Sequence, residues 1–238
     1  MLHVVTWKWG TRFGPEYANR LRYGLDRHLR VPFLFHVITD DAAGLELDNR
    51  SVVHPMYTDH AEMRAGKYAC FRRLRMFEKG MAEVIGPRIL HLDMDCVITG
   101  DVTPLFDRPE PLVIFSQGAR GNGRVTYNPS MVLMDAGVLD DMWVKFHARP
   151  KETHAAAVSQ GWSCSDMSIV NDYLHKNRKT VTPATWEEND MVQAYWRGNR
   201  AKDWGLRENT RIVLFYGRWN PGDADVTAQS PWVTEHWH

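Results

Sequence analysis

The sequence predicts an α/β fold, a mixed and mainly parallel sheet flanked by helices, built as one domain over residues 1–238. Three observations predict it. Short apolar runs alternate with stretches of helical periodicity, strand–helix–strand–helix–strand, through the first part of the chain. The length is enough for one sizeable core, and no repeat, low-complexity tract or linker divides it. An apolar run, Ile89 to Leu92, then delivers Asp93 and Asp95 with one residue between them. Ionised carboxylates are costly to bury unpaired, so they mark the strand's solvent-facing end.

In order, residues 3–6 form the first strand, and Trp7-Lys-Trp-Gly-Thr-Arg-Phe-Gly14 leaves it as a loop. Pro15 and Glu16 open a helix at positions those residues favour. Tyr17, Leu21, Leu25 and Leu29 make its apolar face, with Arg20, Arg22, Asp26 and Arg27 outside. Residues 33–39 are a second strand ending on Asp40 and Asp41, and Val52-Val53 a third. A second helix begins at Gly66 with Tyr68, Phe71, Leu74 and Phe77 inward, and Gly80 stops it. After the Asp93/Asp95 strand, residues 102–106 turn back into a strand at 112–116. Residues 118–123 are a glycine-rich loop, 130–134 a strand and 139–146 a helix. Residues 151–161 read as a polar connection, 166–177 as a helix with Ile169, Val170, Tyr173 and Leu174 inward, and 212–215 as the last clear strand.

Lys and Arg together number 29 and Asp and Glu 29, so no global field favours nucleic acid or an anionic membrane surface. Cys70, Cys96 and Cys164 lie far apart, without metal-ligand spacing, and read as reduced thiols. No basic-then-apolar leader and no bilayer-length apolar run is present, so a cytoplasmic protein without a transmembrane segment is expected. The chain has 10 tryptophans, more than a core of this size needs, which points to an aromatic-lined pocket beside a bulky core.

Ligands of open α/β sheets bind beyond the carboxyl ends of the strands. That edge collects Thr6, Trp7, Lys8, Asp40, Asp93 and Asp95. Carboxylates two apart on an extended chain face one way, and a hard oxygen pair suits Mg²⁺ or Mn²⁺, often shared with a substrate's phosphates. Trp7 reads equally as a core residue or a stacking platform, and Lys8 as a solvated residue or a phosphate partner.

The run Leu92-Asp-Met-Asp-Cys-Val-Ile98 followed by Asp101-Val-Thr-Pro-Leu-Phe106 resembles the metal-binding segment of GT-A glycosyltransferases. The resemblance is to the retaining glycogenin and lipopolysaccharide-galactosyltransferase kind. Tyr127-Asn-Pro-Ser-Met-Val-Leu-Met-Asp135 is similar to the strand whose Asn, here Asn128, lies near the donor sugar. Lys67-Tyr-Ala-Cys-Phe-Arg72 resembles the helix start facing the donor diphosphate, which implicates Lys67 and Arg72. Ser165-Asp-Met-Ser-Ile-Val-Asn171 is similar to the helix start under the reacting sugar, with Asp166 as the carboxylate; the alternative for Asp166 is a helix N-cap. Phe215-Tyr-Gly-Arg-Trp-Asn-Pro221 with Pro231-Trp232 resembles the closing motif. There Gly217 and Arg218 face the phosphates, Tyr216 stands in the place of a third metal ligand, a His, and Asn220 in that of a phosphate-binding Lys.

The resemblance implies a single GT-A domain that moves a hexose from a nucleotide-diphosphate sugar, a UDP-sugar first, to a glycan, lipid or protein acceptor. Mn²⁺ or Mg²⁺ assists, and anomeric configuration is retained. Acceptor contacts are expected in residues 118–124, 153–162 and 186–202. Two alternatives stay open. Gly10-Thr-Arg-Phe-Gly-Pro15 resembles the triphosphate loop of sugar-phosphate nucleotidyltransferases, although Trp7-Lys8-Trp9 stands where glycines should let backbone N–H groups reach phosphate. The departures at Met167, Tyr216 and Asn220 keep in view a non-catalytic nucleotide-sugar- or carbohydrate-binding protein on a degenerate GT-A fold.

Overall fold

The computed structural model describes residues 1–63, 70–119, 123–163, 165–188, 191–195 and 205–238. In chain order they form β1 (Leu2–Lys8), α1 (Pro15–His28), β2 (Phe33–Thr39), β3 (Ser51–Pro55) and a 3-10 helix (Cys70–Phe77). Next come α2 (Met81–Val84), β4 (Arg88–Leu92), β5 (Val97–Ile98), α3 (Thr103–Phe106), β6 (Leu112–Ala119) and β7 (Val125–Asp135). The remainder is α4 (Asp140–Ala148), α5 (Pro150–Ser159), α6 (Asp166–Lys176), β8 (Ala184–Glu187), β9 (Val192–Tyr195), β10 (Ile212–Phe215), α7 (Ala224–Gln229) and α8 (Pro231–His236). The α/β class is the expected one. The chain clusters into two compact units, Met1–His54 with Leu92–Pro109 and Trp186–His238, and Pro55–His91 with Glu110–Thr185.

In the first unit the strand order is β3-β2-β1, with β1 and β2 parallel from Leu2 opposite Phe33 to Lys8 opposite Thr39. A smaller sheet runs β5-β10-β9, β10 being antiparallel to β5 and parallel to β9. Helix α1 begins as its sequence dictates, with Pro15 in the first turn, Glu16 beside it and Arg27 and His28 in the last turn. It buries Tyr17, Ala18, Leu21 and Leu25. Gly24 lets it lie close on β5, since a Cβ there would stand 3.2 Å from the Ile98 side chain. Arg22, expected outside, is buried because its guanidinium pairs with Asp26 at 2.9 Å and Asp48 at 3.3 Å.

In the second unit β4, β7 and β6 lie in that order. β6 and β7 are antiparallel, and the register jumps from Ile114 opposite Val132 to Phe115 opposite Asn128. The extra residues Pro129 to Met131 bulge the strand immediately after Asn128. Helix α6 packs on β7, α4, α5 and the 3-10 helix. Its Asn171 carboxamide replaces a strand partner, accepting the Tyr127 N–H and donating to the Tyr127 carbonyl, both at 2.8 Å.

Several expectations change. Residues 151–161, read as a connection, hold helix α5. Pro150 starts it, Glu152 suits its first turn and Ala155 to Ala157 favour helix, but Ala157 is its one buried residue. A helix without an apolar stripe gives periodicity nothing to detect. The helix expected from Gly66 is 3-10 in its described part, with Phe71, Leu74 and Phe77 buried as expected. Residues 102–106, read as a turn, hold the short helix α3. The core reading of the tryptophans holds for Trp7, Trp143, Trp162, Trp186, Trp232 and Trp237, all buried. No helix among the described residues is long and apolar enough to cross a membrane.

Candidate functional site

Parallel pairing of β1 with β2 brings Lys8 opposite Thr39, so Thr6, Trp7, Lys8 and Asp40 share one edge of the first unit. Trp7 is 3 % exposed, so the core reading of its ring holds. Thr6 is fully buried, and its Oγ1 has no hydrogen-bond partner among the described residues. Lys8 is also 3 % exposed, so the solvated reading fails; its Nζ donates to the Asp41 carbonyl at 3.1 Å. Asp40 is exposed, and its carboxylate accepts the Gly10 N–H at 3.0 and 3.2 Å. Gly10, at φ 61, turns the loop sharply there. Asp40 therefore anchors the loop after β1.

The strand carrying the acid pair ends at Leu92, and residues 93–96 form a turn in which the Cys96 N–H donates to the Asp93 carbonyl at 3.3 Å. Asp93 and Asp95 are half-buried while Met94 between them is buried. The alternation expected of an extended chain thus survives in burial, although the backbone turns. Burial pushes the Cys96 thiol well up, and the charges of Asp95 and then Asp93 push it further.

Because β5 follows this turn and β10 is antiparallel to it, Tyr216, next after β10, emerges on the side where β5 begins. Tyr216 is half-buried, Gly217 takes φ 80, and exposed Arg218 lies over the Trp219 ring at 4.3 Å. Arg12, from the loop after β1, reaches the Gly217 carbonyl at 3.5 Å. Asn220 spends its amide on the Asp223 carboxylate at 3.2 Å and the Arg218 carbonyl at 3.3 Å, so it closes a turn. Tyr17, read only as a core residue, packs edge-on against Trp237 with ring centroids 4.8 Å apart. Its hydroxyl is raised to about 12, by burial first and then by Asp223 and Asp95. A Cβ on Gly222 would stand 2.6 Å from that hydroxyl.

In the second unit Asn128 is buried, and its Oδ1 accepts the Ser130 N–H at 3.0 Å and the Ser130 hydroxyl at 2.8 Å. Asp166 is 1 % exposed and opens α6, while Ser165 holds the N-cap position. The capping alternative is therefore corrected: the Asp166 Oδ2 pairs with the Arg73 Nε, and its Oδ1 is buried without a hydrogen-bond partner among the described residues. Burial, then the Asp166 charge, raises the Cys70 thiol to about 12. Arg72 is half-buried and lies on the 3-10 helix beside Arg73. Lys67 lies outside the described residues. The run Arg72-Arg73-Arg75 signals cations on this helix, but nothing in it singles out Arg73 as the partner of Asp166.

Among the described residues no three His, Cys, Asp or Glu groups stand together as a metal cluster. Asp93 and Asp95 nevertheless supply two accessible hard oxygen donors, which fits Mg²⁺ or Mn²⁺ completed by a nucleotide's oxygens rather than a closed protein cage. Neutral Tyr216 adds little to such a set.

No family model matches the chain, and no curated protein matches it. Solved structures do. The galactosyltransferase LgtC, in complex with donor and acceptor sugar analogs, aligns over 99 % of this chain and 94 % of its own at 15 % identity and TM-score 0.64. The glycosyltransferase GlyE of Streptococcus pneumoniae TIGR4 aligns over 100 % of this chain and 62 % of its own at 14 % identity and TM-score 0.63. Mouse xyloside xylosyltransferase 1 aligns over 91 % and 97 % at 10 % identity and TM-score 0.58. The chain has the GT-A glycosyltransferase fold.

Proposed function

We propose that the protein is a glycosyltransferase that moves a hexose from a nucleotide-diphosphate sugar, a UDP-sugar first, to a glycan, lipid or protein acceptor, with residues 1–238 acting as one domain. The observation that carries this is the Asp93/Asp95 pair, half-exposed on a turn at the end of β4, in a fold shared with a galactosyltransferase.

Cleavage at the anomeric carbon leaves negative charge on the diphosphate while the sugar becomes oxocarbenium-like. Asp93 and Asp95 would hold a divalent cation, which would supply Lewis-acid neutralisation of the leaving oxygens. The chain contributes fixed charges. Lys8 and Arg218 are assigned to the diphosphate, in the part that a preorganised cation plays. Asp166 is assigned to the sugar. Its carboxylate is buried beside the Arg73 guanidinium and the Cys70 thiol, and its charge suits a sugar turning cationic. Asn128, immediately before the bulge of β7, is assigned to the donor sugar on the sequence resemblance. Retention of configuration rests on the sequence resemblance alone.

Thermal stabilisation by a panel of nucleotide sugars with Mn²⁺ tests the reading. At least one diphosphate sugar should raise Tm in the wild type, and the Mn²⁺-dependent part of that rise should be lost in the variant carrying Asp93→Asn and Asp95→Asn. No shift with any of them in the wild type would refute the donor class.

A further inference from the structure

Lys8 is a buried cation without a carboxylate partner among the described residues. It is 3 % exposed, and no Asp or Glu oxygen among the described residues lies within the 4.0 Å of an ion pair. The bond it makes, to the Asp41 carbonyl, uses one of three ammonium donors. That carbonyl also accepts the Thr39 hydroxyl at 2.8 Å, so the acceptor is fixed and the ammonium is held rather than loose. Two residues earlier on the same face of β1, Thr6 is fully buried with its hydroxyl unmatched among the described residues. Folded chains pair their buried polar groups, and burying an unpaired ion is expensive. An ammonium with donors to spare and a hydroxyl unmatched among the described residues, at one strand end, suit an oxyanion.

The closing segment strengthens the argument. Asn220 stands where the sequence resemblance expects a phosphate-binding lysine, and its amide is taken by Asp223 and the Arg218 carbonyl. Charge expected there is instead available on β1. We infer that Lys8, with Thr6, is the chain's own fixed site for the donor's diphosphate, and that nucleotide binding therefore outlasts removal of the divalent cation. This rests on the nucleotide-sugar reading above and adds to it a metal-independent component seated on β1.

The test is calorimetry of UDP, with inorganic pyrophosphate as a base-free second probe, in Mn²⁺ and in excess EDTA. Wild type should bind UDP in both, more weakly in EDTA, and pyrophosphate should compete in EDTA. Lys8→Met should weaken UDP binding in EDTA by roughly tenfold to a hundredfold, the worth of a charge-assisted hydrogen bond. The same variant should melt no lower than wild type, because it removes an uncompensated buried charge. UDP binding in Mn²⁺ but none in EDTA would overturn the inference and leave the donor reading standing; that comparison uses wild type alone and needs no folded variant. Unchanged EDTA binding in Lys8→Met, with a lowered Tm, would also overturn it, making Lys8 a structural tie to Asp41. No UDP binding in either buffer would remove both readings.

Discussion

At the scale of single residues, Asp166 bears most directly on chemistry. Its carboxylate is 1 % exposed and its partner Arg73 has a side chain 12 % exposed, so Asp166→Asn breaks a mostly buried ion pair. The expected cost is about 3–5 kcal/mol of stability, read by urea unfolding. Turnover should fall further, by about two to three orders of magnitude, because the lost charge acts on the cationic transition state, while donor affinity changes little. A rate loss no larger than the loss of folded protein would make Asp166 purely structural. Cys70 gives an independent reading of the same charge. Its thiol sits at about 12, through burial and then Asp166, so Asp166→Asn should lower the pH midpoint of Cys70 alkylation, followed by mass spectrometry. An unmoved midpoint would contradict the placement of that charge. At Tyr216 the expectation is a gain: Tyr216→His should tighten divalent-cation binding by adding an imidazole nitrogen. Unchanged binding would mean that Tyr216 stands away from the acid pair.

At the scale of elements, three imidazoles join β1, β2 and β3. His3 Nδ1 meets His36 Nε2 at 3.1 Å, and His36 Nδ1 meets His54 Nε2 at 2.9 Å. A neutral ring donates at one nitrogen and accepts at the other, so neutral His36 joins both neighbours without placing a charge among them. Burial, then His54 and His3, lowers His36 from 6.5 to about 4. The unfolded chain takes up this proton below 6.5 and the folded chain does not until about 4. The stabilisation is therefore complete above 6.5 and lost as pH falls from 6.5 to 4, up to roughly 3 kcal/mol. Urea midpoints at pH 7.5 and 5 should differ in wild type and differ less in His36→Leu; equal pH dependence in both would remove His36 as the cause. Elements also explain what the sequence revealed of the fold. α1 and α6 announced themselves through periodic apolar faces and β2 through a continuous apolar run, whereas α5 buries Ala157 alone and β8 and β9 are too short to show a period.

For the whole molecule, the class was legible because alternating strand and helix periods admit few architectures, and the acid pair because Asp93 and Asp95 close an apolar strand. Partnerships were not legible. That Arg73 rather than Arg72 meets Asp166, that Asp40 holds Gly10, and that Lys8 is buried follow from packing between segments distant in sequence. The central claim is that this fold cleaves a nucleotide-diphosphate sugar at the anomeric carbon. Product analysis after incubation with UDP-hexoses and Mn²⁺ tests it most directly. The account predicts UDP together with free or transferred hexose, lost in the variant carrying Asp93→Asn and Asp95→Asn. Donor bound without turnover, or pyrophosphate released from a nucleoside triphosphate and a sugar phosphate, would contradict it.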